Sequence, residues 1–134
     1  MSRYKDKDKE RATRKAYRAK HKDLLDKLNR AYLRTPKGRY SVLLSLAKSK
    51  GKFCNITIYE HEHLLKQPCH YCGGSLNTTS SGLDQVVPSA GYLLSNVVPC
   101  CKRCNQAKSN LTVEEFSDWI KVVYEHFVKS KCGF

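Results

Sequence analysis

Two pairs of cysteines are the residues whose type and spacing most clearly prescribe chemistry. Cys69-His70-Tyr71-Cys72-Gly73-Gly74 and Cys101-Lys102-Arg103-Cys104 each hold two thiols with two residues between them, a spacing at which both sulfurs of a pair reach one ion. The glycines after the first pair let the backbone turn tightly behind it. Four thiolates complete a tetrahedral shell and leave no position for substrate, so the expected ion is a structural Zn²⁺. Lys102 and Arg103 would offset part of the thiolate charge. Cys100 is an alternative to Cys101, although its spacing to Cys104 suits a knuckle less well. Cys54, Cys100 and Cys132 otherwise read as small apolar residues or surface thiols. Zinc bound in this way contributes on the order of 10 kcal/mol to folding, as much as the net stability of a typical domain.

The charge is the second signal. The 134 residues carry a net +13. Residues 1–34 hold thirteen Lys or Arg against five Asp or Glu, a net +8, and the other hundred residues supply +5. Such a field draws in polyanions, and nucleic acid is the abundant intracellular one. An anionic membrane is the rival, weakened because the basic segment lacks the Trp/Phe/Leu face of an interfacial helix. The charged start MSRYKDKDKERATRK contains no secretory signal and no stretch reaches membrane-spanning length, so the expectation is an intracellular, cytoplasmic chain with reduced thiols and no membrane partner.

Elements that must position these groups follow from periodicity. The pattern predicts an α+β chain, mostly α, with one modest domain and an extension. Residues 3–34 read as one long polar helix, so 1–34 forms a basic helical or partly disordered arm that would lie on phosphates, Arg11, Arg14, Lys15 and Arg18 among them. Thr35-Pro36-Lys37-Gly38 is a break. Residues 35–68 form a helical preface, with Tyr40, Leu43, Leu44 and Ala47 at helical spacing and a capping box at Thr57-Ile58-Tyr59-Glu60 that opens a helix to about Lys66. Residues 69–128 form the zinc-stapled unit: strands at Leu83 to Val87 and Leu93 to Val98 joined by Pro88-Ser89-Ala90-Gly91, a helix from Cys101 to Ser109, and an amphipathic helix opened by Thr112-Val113-Glu114-Glu115. On that last helix Val113, Phe116, Ile120, Val123 and Phe127 line one face, widened by Trp119, Tyr124 and Val128, and these aromatics read as core. Residues 129–134 are a tail.

The run Gly82-Leu83-Asp84-Gln85, Gly91-Tyr92, Asn96-Val97-Val98-Pro99 and Cys101-Lys102-Arg103-Cys104-Asn105-Gln106-Ala107-Lys108 resembles the zinc-containing HNH nucleases, in particular the small phage-type ones. The resemblance covers residues 69 to about 125, and more loosely the preface from Pro36. It implies a strand-strand-helix unit, the ββα-metal fold, that grips one divalent cation against a scissile phosphate. By position, Asp84 and Asn105 would ligate that ion, Mg²⁺ or Mn²⁺. Asn96 would bond across the loop and fix its shape. Arg103 and Lys108 would face phosphates, with Lys102 beside them. A hard cation held by only one or two protein oxygens keeps open positions for water and phosphate. The bland alternatives are a turn role for Asp84 and Asn96 and a backbone-bonding role for Asn105.

One position departs from the family pattern. The His that would follow the Asp is Gln85 here, and a carboxamide cannot act as a general base near neutral pH. No His lies between Cys72 and Glu125; His61, His63, His70 and His126 flank that span. Losing a general base typically costs roughly a hundred- to ten-thousand-fold in rate. The implied function is a metal-dependent endonuclease that hydrolyses or nicks DNA, with Gln85 orienting water. The alternatives are a catalytically impaired zinc module that binds DNA or RNA, and a structural zinc protein of a ribonucleoprotein.

Overall fold

The computed structural model describes residues 6–76 and 82–132. The first five residues of the arm, the 77–81 stretch between the cysteine pairs and the last two residues of the tail lie outside it, as does the Cys132 side chain.

The architecture is mostly helical with one small sheet. Helices α1 (Lys7–Lys20), α2 (Lys22–Leu33), α3 (Pro36–Ser49) and α4 (Ile58–Leu65) precede strands β1 (Leu83–Gln85) and β2 (Val97–Pro99), and α5 (Lys102–Lys108) and α6 (Val113–Val123) follow. No helix among the described residues is long and apolar enough to cross a membrane.

The basic arm is two helices, not the single one its composition predicts. Asp6 caps α1 by accepting from the Asp8 and Lys9 N–H groups at 3.2 and 3.3 Å. His21 leaves the helical region at φ −111°, ψ 22° and separates α1 from α2. Neither helix buries a residue. Thr35 then caps α3 through Gly38 N–H at 3.1 Å, and Pro36 opens that helix at its first turn, where a missing N–H costs nothing. The predicted capping boxes at Thr57/Glu60 and Thr112/Glu115 both form.

The core lies between α3, α4 and the sheet. Leu43 and Ala47 of α3 meet Ile56, Leu83, Tyr92 and Val97, with Tyr40, Leu64 and Leu65 at the edge. Strands β1 and β2 pair antiparallel, with Leu83 opposite Pro99, Asp84 opposite Val98 and Gln85 opposite Val97. They are shorter than the sequence predicts, for a specific reason. The Asn96 amide takes the Val87 N–H and C=O, each at 2.9 Å, which a longer ladder would need. Leu94–Asn96 meanwhile coils into a 3₁₀ turn.

Helix α6 corrects a second expectation. Phe116 is buried, but Trp119 and Phe127 are about half exposed, and Ile120, Val123, Tyr124 and Val128 are open as well. After its first turn the helix leaves the domain and continues through a π-helical stretch at Tyr124–Lys129. The aromatics beyond Phe116 are not core.

Candidate functional site

The four paired cysteines converge. The sulfurs of Cys69, Cys72, Cys101 and Cys104 all lie within 4.8 Å of one another, and Cys72 Sγ is 3.8 Å from Cys101 Sγ. A tetrahedral ion with Zn–S bonds of about 2.3 Å requires sulfur–sulfur edges of about 3.8 Å. The cluster therefore fits a structural metal ion such as zinc. The local sequence builds it directly. Gly73, at φ +71°, lets the first knuckle close with Cys69 N–H on the Gly74 carbonyl at 2.8 Å. Cys101 is the N-cap of α5, its sulfur accepting from Cys104 N–H at 3.4 Å, and His70 N–H bonds the Pro99 carbonyl at 2.8 Å, tying the first knuckle to β2. Burial pushes the Cys69 thiol up, but N–H groups of Cys101, Cys72 and Tyr71 outweigh it and bring its pKa down to about 6. Cys104 is driven up by burial and by the neighbouring sulfurs. Cys100 is buried next to Cys69 but is not one of the four clustered sulfurs, and burial with its charged neighbours pushes its thiol up.

A cleft of about 120 Å³ opens beside β1 and the C-terminal half of α5. Asp84, Gln85 and Asn105 line it together with Lys50, Lys52 and Tyr92. Strand β1 delivers Asp84 and Gln85, and α5, oriented by the cysteine cluster at its N-terminus, delivers Asn105. Asn105 Nδ2 donates to the Leu83 carbonyl at 3.2 Å, which leaves Oδ1 as the atom of that amide available to a cation. Asp84 is nearly buried, and its Oδ2 accepts from Tyr71 Oη at 2.7 Å. Burial and the Asp84 carboxylate together push the Tyr71 hydroxyl well above its ordinary pKa, so it stays a donor. One carboxylate and one amide oxygen are a hard donor pair of the type that suits Mg²⁺ or Mn²⁺.

Lys108 does not face solvent phosphates. Its side chain has no exposure, and Nζ lies 3.2 Å from Asp84 Oδ2 and 3.2 Å from the Gln85 carbonyl. An ammonium this deep persists only with a charge partner and further acceptors, and Asp84 with the β1 backbone provides them. Lys102 and Arg103 are exposed. In the arm, Lys7, Arg11, Arg14, Lys15 and Arg18 share one helical face, where Arg14 pairs with Glu10 at 2.6 Å.

Asn96 spans the loop between the strands. Its Oδ1 accepts from Val87 N–H, and its Nδ2 donates to the Val87 and Gly91 carbonyls, each at 2.9 Å. No histidine lines the cleft among the described residues: His61 is buried beneath Tyr40, and His63, His70 and His126 are exposed.

Sequence reasoning missed Lys52, Tyr71 and Tyr92. Lys52 Nζ donates to Gln85 Oε1 at 2.7 Å and to the Pro88 carbonyl. The chain reaches this point because Cys54 and Tyr92 form a parallel bridge, with Tyr92 N–H on the Phe53 carbonyl at 2.8 Å. Gly91 permits that approach, since a Cβ there would stand 2.9 Å from Phe53 O. Tyr71, between the first two cysteines, and Tyr92, in the Gly91-Tyr92 part of the motif run, offered a sequence signal; Lys52 offered none.

No family model matches the chain, and no solved structure matches it. It is 33% identical over 89 residues to an uncharacterized protein of Acanthamoeba polyphaga mimivirus, covering 66% of this chain and 17% of that protein. Over 78 residues it is 32% identical to the CRISPR-associated endonuclease Cas9 of Corynebacterium diphtheriae, which covers 54% of this chain and 7% of that protein. The chain thus spans less than a fifth of the length of either relative.

Proposed function

We propose that the chain is a zinc-stapled, HNH-type nuclease module that cuts or nicks DNA phosphodiester bonds with a divalent ion. The observation that carries this reading is the meeting of Asp84, Gln85 and Asn105 in one cleft, with α5 anchored by the four-sulfur cluster. Similarity to a chain named an endonuclease supports it. Asp84 and Asn105 would hold Mg²⁺ or Mn²⁺. Such an ion, when bound, polarises the phosphoryl oxygen and stabilises the leaving alkoxide. Tyr71 and Lys108 orient the Asp84 carboxylate. Asn96 sets the loop, and zinc in the cysteine cluster would hold β2 and α5 in register. Arg11, Arg14, Lys15 and Arg18, with Lys102 and Arg103, would supply phosphate contacts that raise affinity without reading sequence.

The test is nicking of supercoiled plasmid in Mg²⁺ or Mn²⁺. The parent chain should nick and Asn105→Ala should not. Equal cutting by both would remove Asn105 from the site and with it this reading.

A second reading, a nucleic-acid-binding module with an impaired active site, draws support from Gln85. A carboxamide does not titrate near neutrality, and its oxygen is already engaged by Lys52. That reading expects steeply salt-dependent binding of DNA or RNA and no cleavage with any metal, even in Gln85→His.

A further inference from the structure

Charge in the cleft is arranged for an anion before a cation. Asp84 is the one carboxylate lining it among the described residues, and Lys108 already pairs with that group from inside at 3.2 Å. Lys50 and Lys52 also line the cleft, and no described carboxylate pairs with either. Two lysines at the cleft and one behind it therefore stand against a single carboxylate. Lys52 has committed two of its three N–H donors to the neutral acceptors Gln85 Oε1 and Pro88 O, so neither partner offsets its charge and one donor remains. Asn105 adds a neutral wall.

A free divalent ion entering this cleft would meet a net positive field and a carboxylate whose charge Lys108 already offsets from inside. A phosphodiester oxyanion meets the reverse: an uncompensated Lys52 fixed by two hydrogen bonds, with Lys50 beside it. Once a phosphate is in place, it supplies the negative charge and the extra oxygen that a hard cation lacks here. We propose that the cleft is a phosphate-binding site in its own right, with Lys52 as its contact, and that the divalent ion enters only beside a bound phosphodiester because Lys108, paired with Asp84 from inside, already offsets the one carboxylate charge there. This deepens the nuclease reading and rests on it for the identity of the phosphate as part of a nucleic-acid strand.

The order of entry has a thermodynamic signature. If a bound strand raises metal affinity by some factor, metal must raise strand affinity by the same factor. The experiment uses the full zinc-loaded chain, a short DNA duplex and Mn²⁺ as a spectroscopic probe, with duplex alone as control. In buffer without added divalent ion, fluorescence anisotropy should show that Lys52→Met weakens duplex binding by about tenfold and lowers the salt slope by about 1, the loss of one phosphate contact. Electron paramagnetic resonance should show Mn²⁺ bound at least about tenfold more tightly by the protein–duplex complex than by the protein alone. Lys108→Met, if it folds, should gain Mn²⁺ binding without duplex.

An unchanged metal-free affinity and salt slope in Lys52→Met overturns the proposal, as does Mn²⁺ binding by free protein equal to that of the complex. Plasmid nicking on the same samples separates the two levels. Nicking without coupled binding discards the order of entry and keeps the nuclease; coupled binding without nicking does the opposite.

Discussion

Tyr71 Oη donates to Asp84 Oδ2 at 2.7 Å, and Tyr71 itself sits inside the first cysteine pair. One residue thus joins the cysteine cluster to the carboxylate of the cleft. Phe116 of α6 packs edge-on against the Tyr71 ring, centroids 5.5 Å apart at 89°, which holds the phenol in place. Tyr71→Phe keeps that packing and deletes only the hydrogen bond to a nearly buried carboxylate. The expected cost is about 1–2 kcal/mol, read from urea melts. Nicking should fall while metal content is unchanged, since no sulfur is touched; metal loss in this variant would contradict the assignment.

Removal of the cluster ion should disorder the sheet and α5 together. Cys101 caps α5, and the His70 N–H bonds the Pro99 carbonyl of β2, so both elements hang on the same four sulfurs. Structural zinc contributes on the order of 10 kcal/mol, within the whole stability of a small domain. Dialysis against a strong zinc chelator should abolish the near-ultraviolet dichroism of the domain, and equimolar zinc should restore it. Purified protein should hold one zinc per chain, and Cys69→Ser should hold none. A chelated chain with unchanged spectra would show the sulfurs to be ordinary thiols.

Along α6 the cost of truncation should drop sharply within one turn. Phe116 is 4% exposed and touches Tyr71, whereas Ile120 is 46% exposed. Phe116→Ala should cost about 3 kcal/mol, the low end for a buried aromatic, and Ile120→Ala about 0.5 kcal/mol or less. Paired denaturant titrations compare them; similar losses would mean that the helix packs beyond its first turn.

Alkaline pH should destabilise the fold in part through Tyr92. Burial raises its pKa, partly offset by the Gln85 hydrogen bond. A raised folded pKa means that the unfolded chain releases its proton first, from about pH 10. Stability from this group is therefore full below that pH and declines above it. Tyr92→Phe should flatten the fall in urea midpoint between pH 9 and 11 relative to the parent; an equal slope would assign the loss to other groups.

Much of this arrangement was legible because it is local. Two-residue spacings gave the cysteine cluster, and Thr-x-x-Glu gave both capping boxes. The motif order put Asp84 on the first strand and Asn105 on the helix after the second, and the fold brings them to one cleft. What was not legible depends on long-range partners. Lys108 looked like a surface cation because a lysine's burial is decided by whether a carboxylate waits inside, here Asp84, 24 residues earlier. Lys52 reaches Gln85 across 33 residues, through a bridge between Cys54 and Tyr92 that no periodicity marks. The α6 aromatics have a core-like period, but period tells which residues share a face and not whether anything covers it.

Gln85→His tests whether a base is what the cleft lacks. A histidine at this position of β1 would stand where Lys52 now donates to Gln85 Oε1 at 2.7 Å. An adjacent ammonium disfavours the imidazolium, so the pKa of the new side chain should lie below the ordinary value of about 6.5. The imidazole would thus be neutral and able to accept a proton at pH 7 and above. Nicking should rise by at least about tenfold over the parent at pH 8, a modest share of what a general base supplies. The acid limb of its pH profile should fall below pH 6.5. Adding Lys52→Met removes the neighbouring charge, so the limb should move up toward 6.5 while the rate plateau drops with the lost phosphate contact. A gain in rate whose pH limb ignores Lys52 would place the new base away from that ammonium, and no gain at all would leave Gln85 as a structural residue.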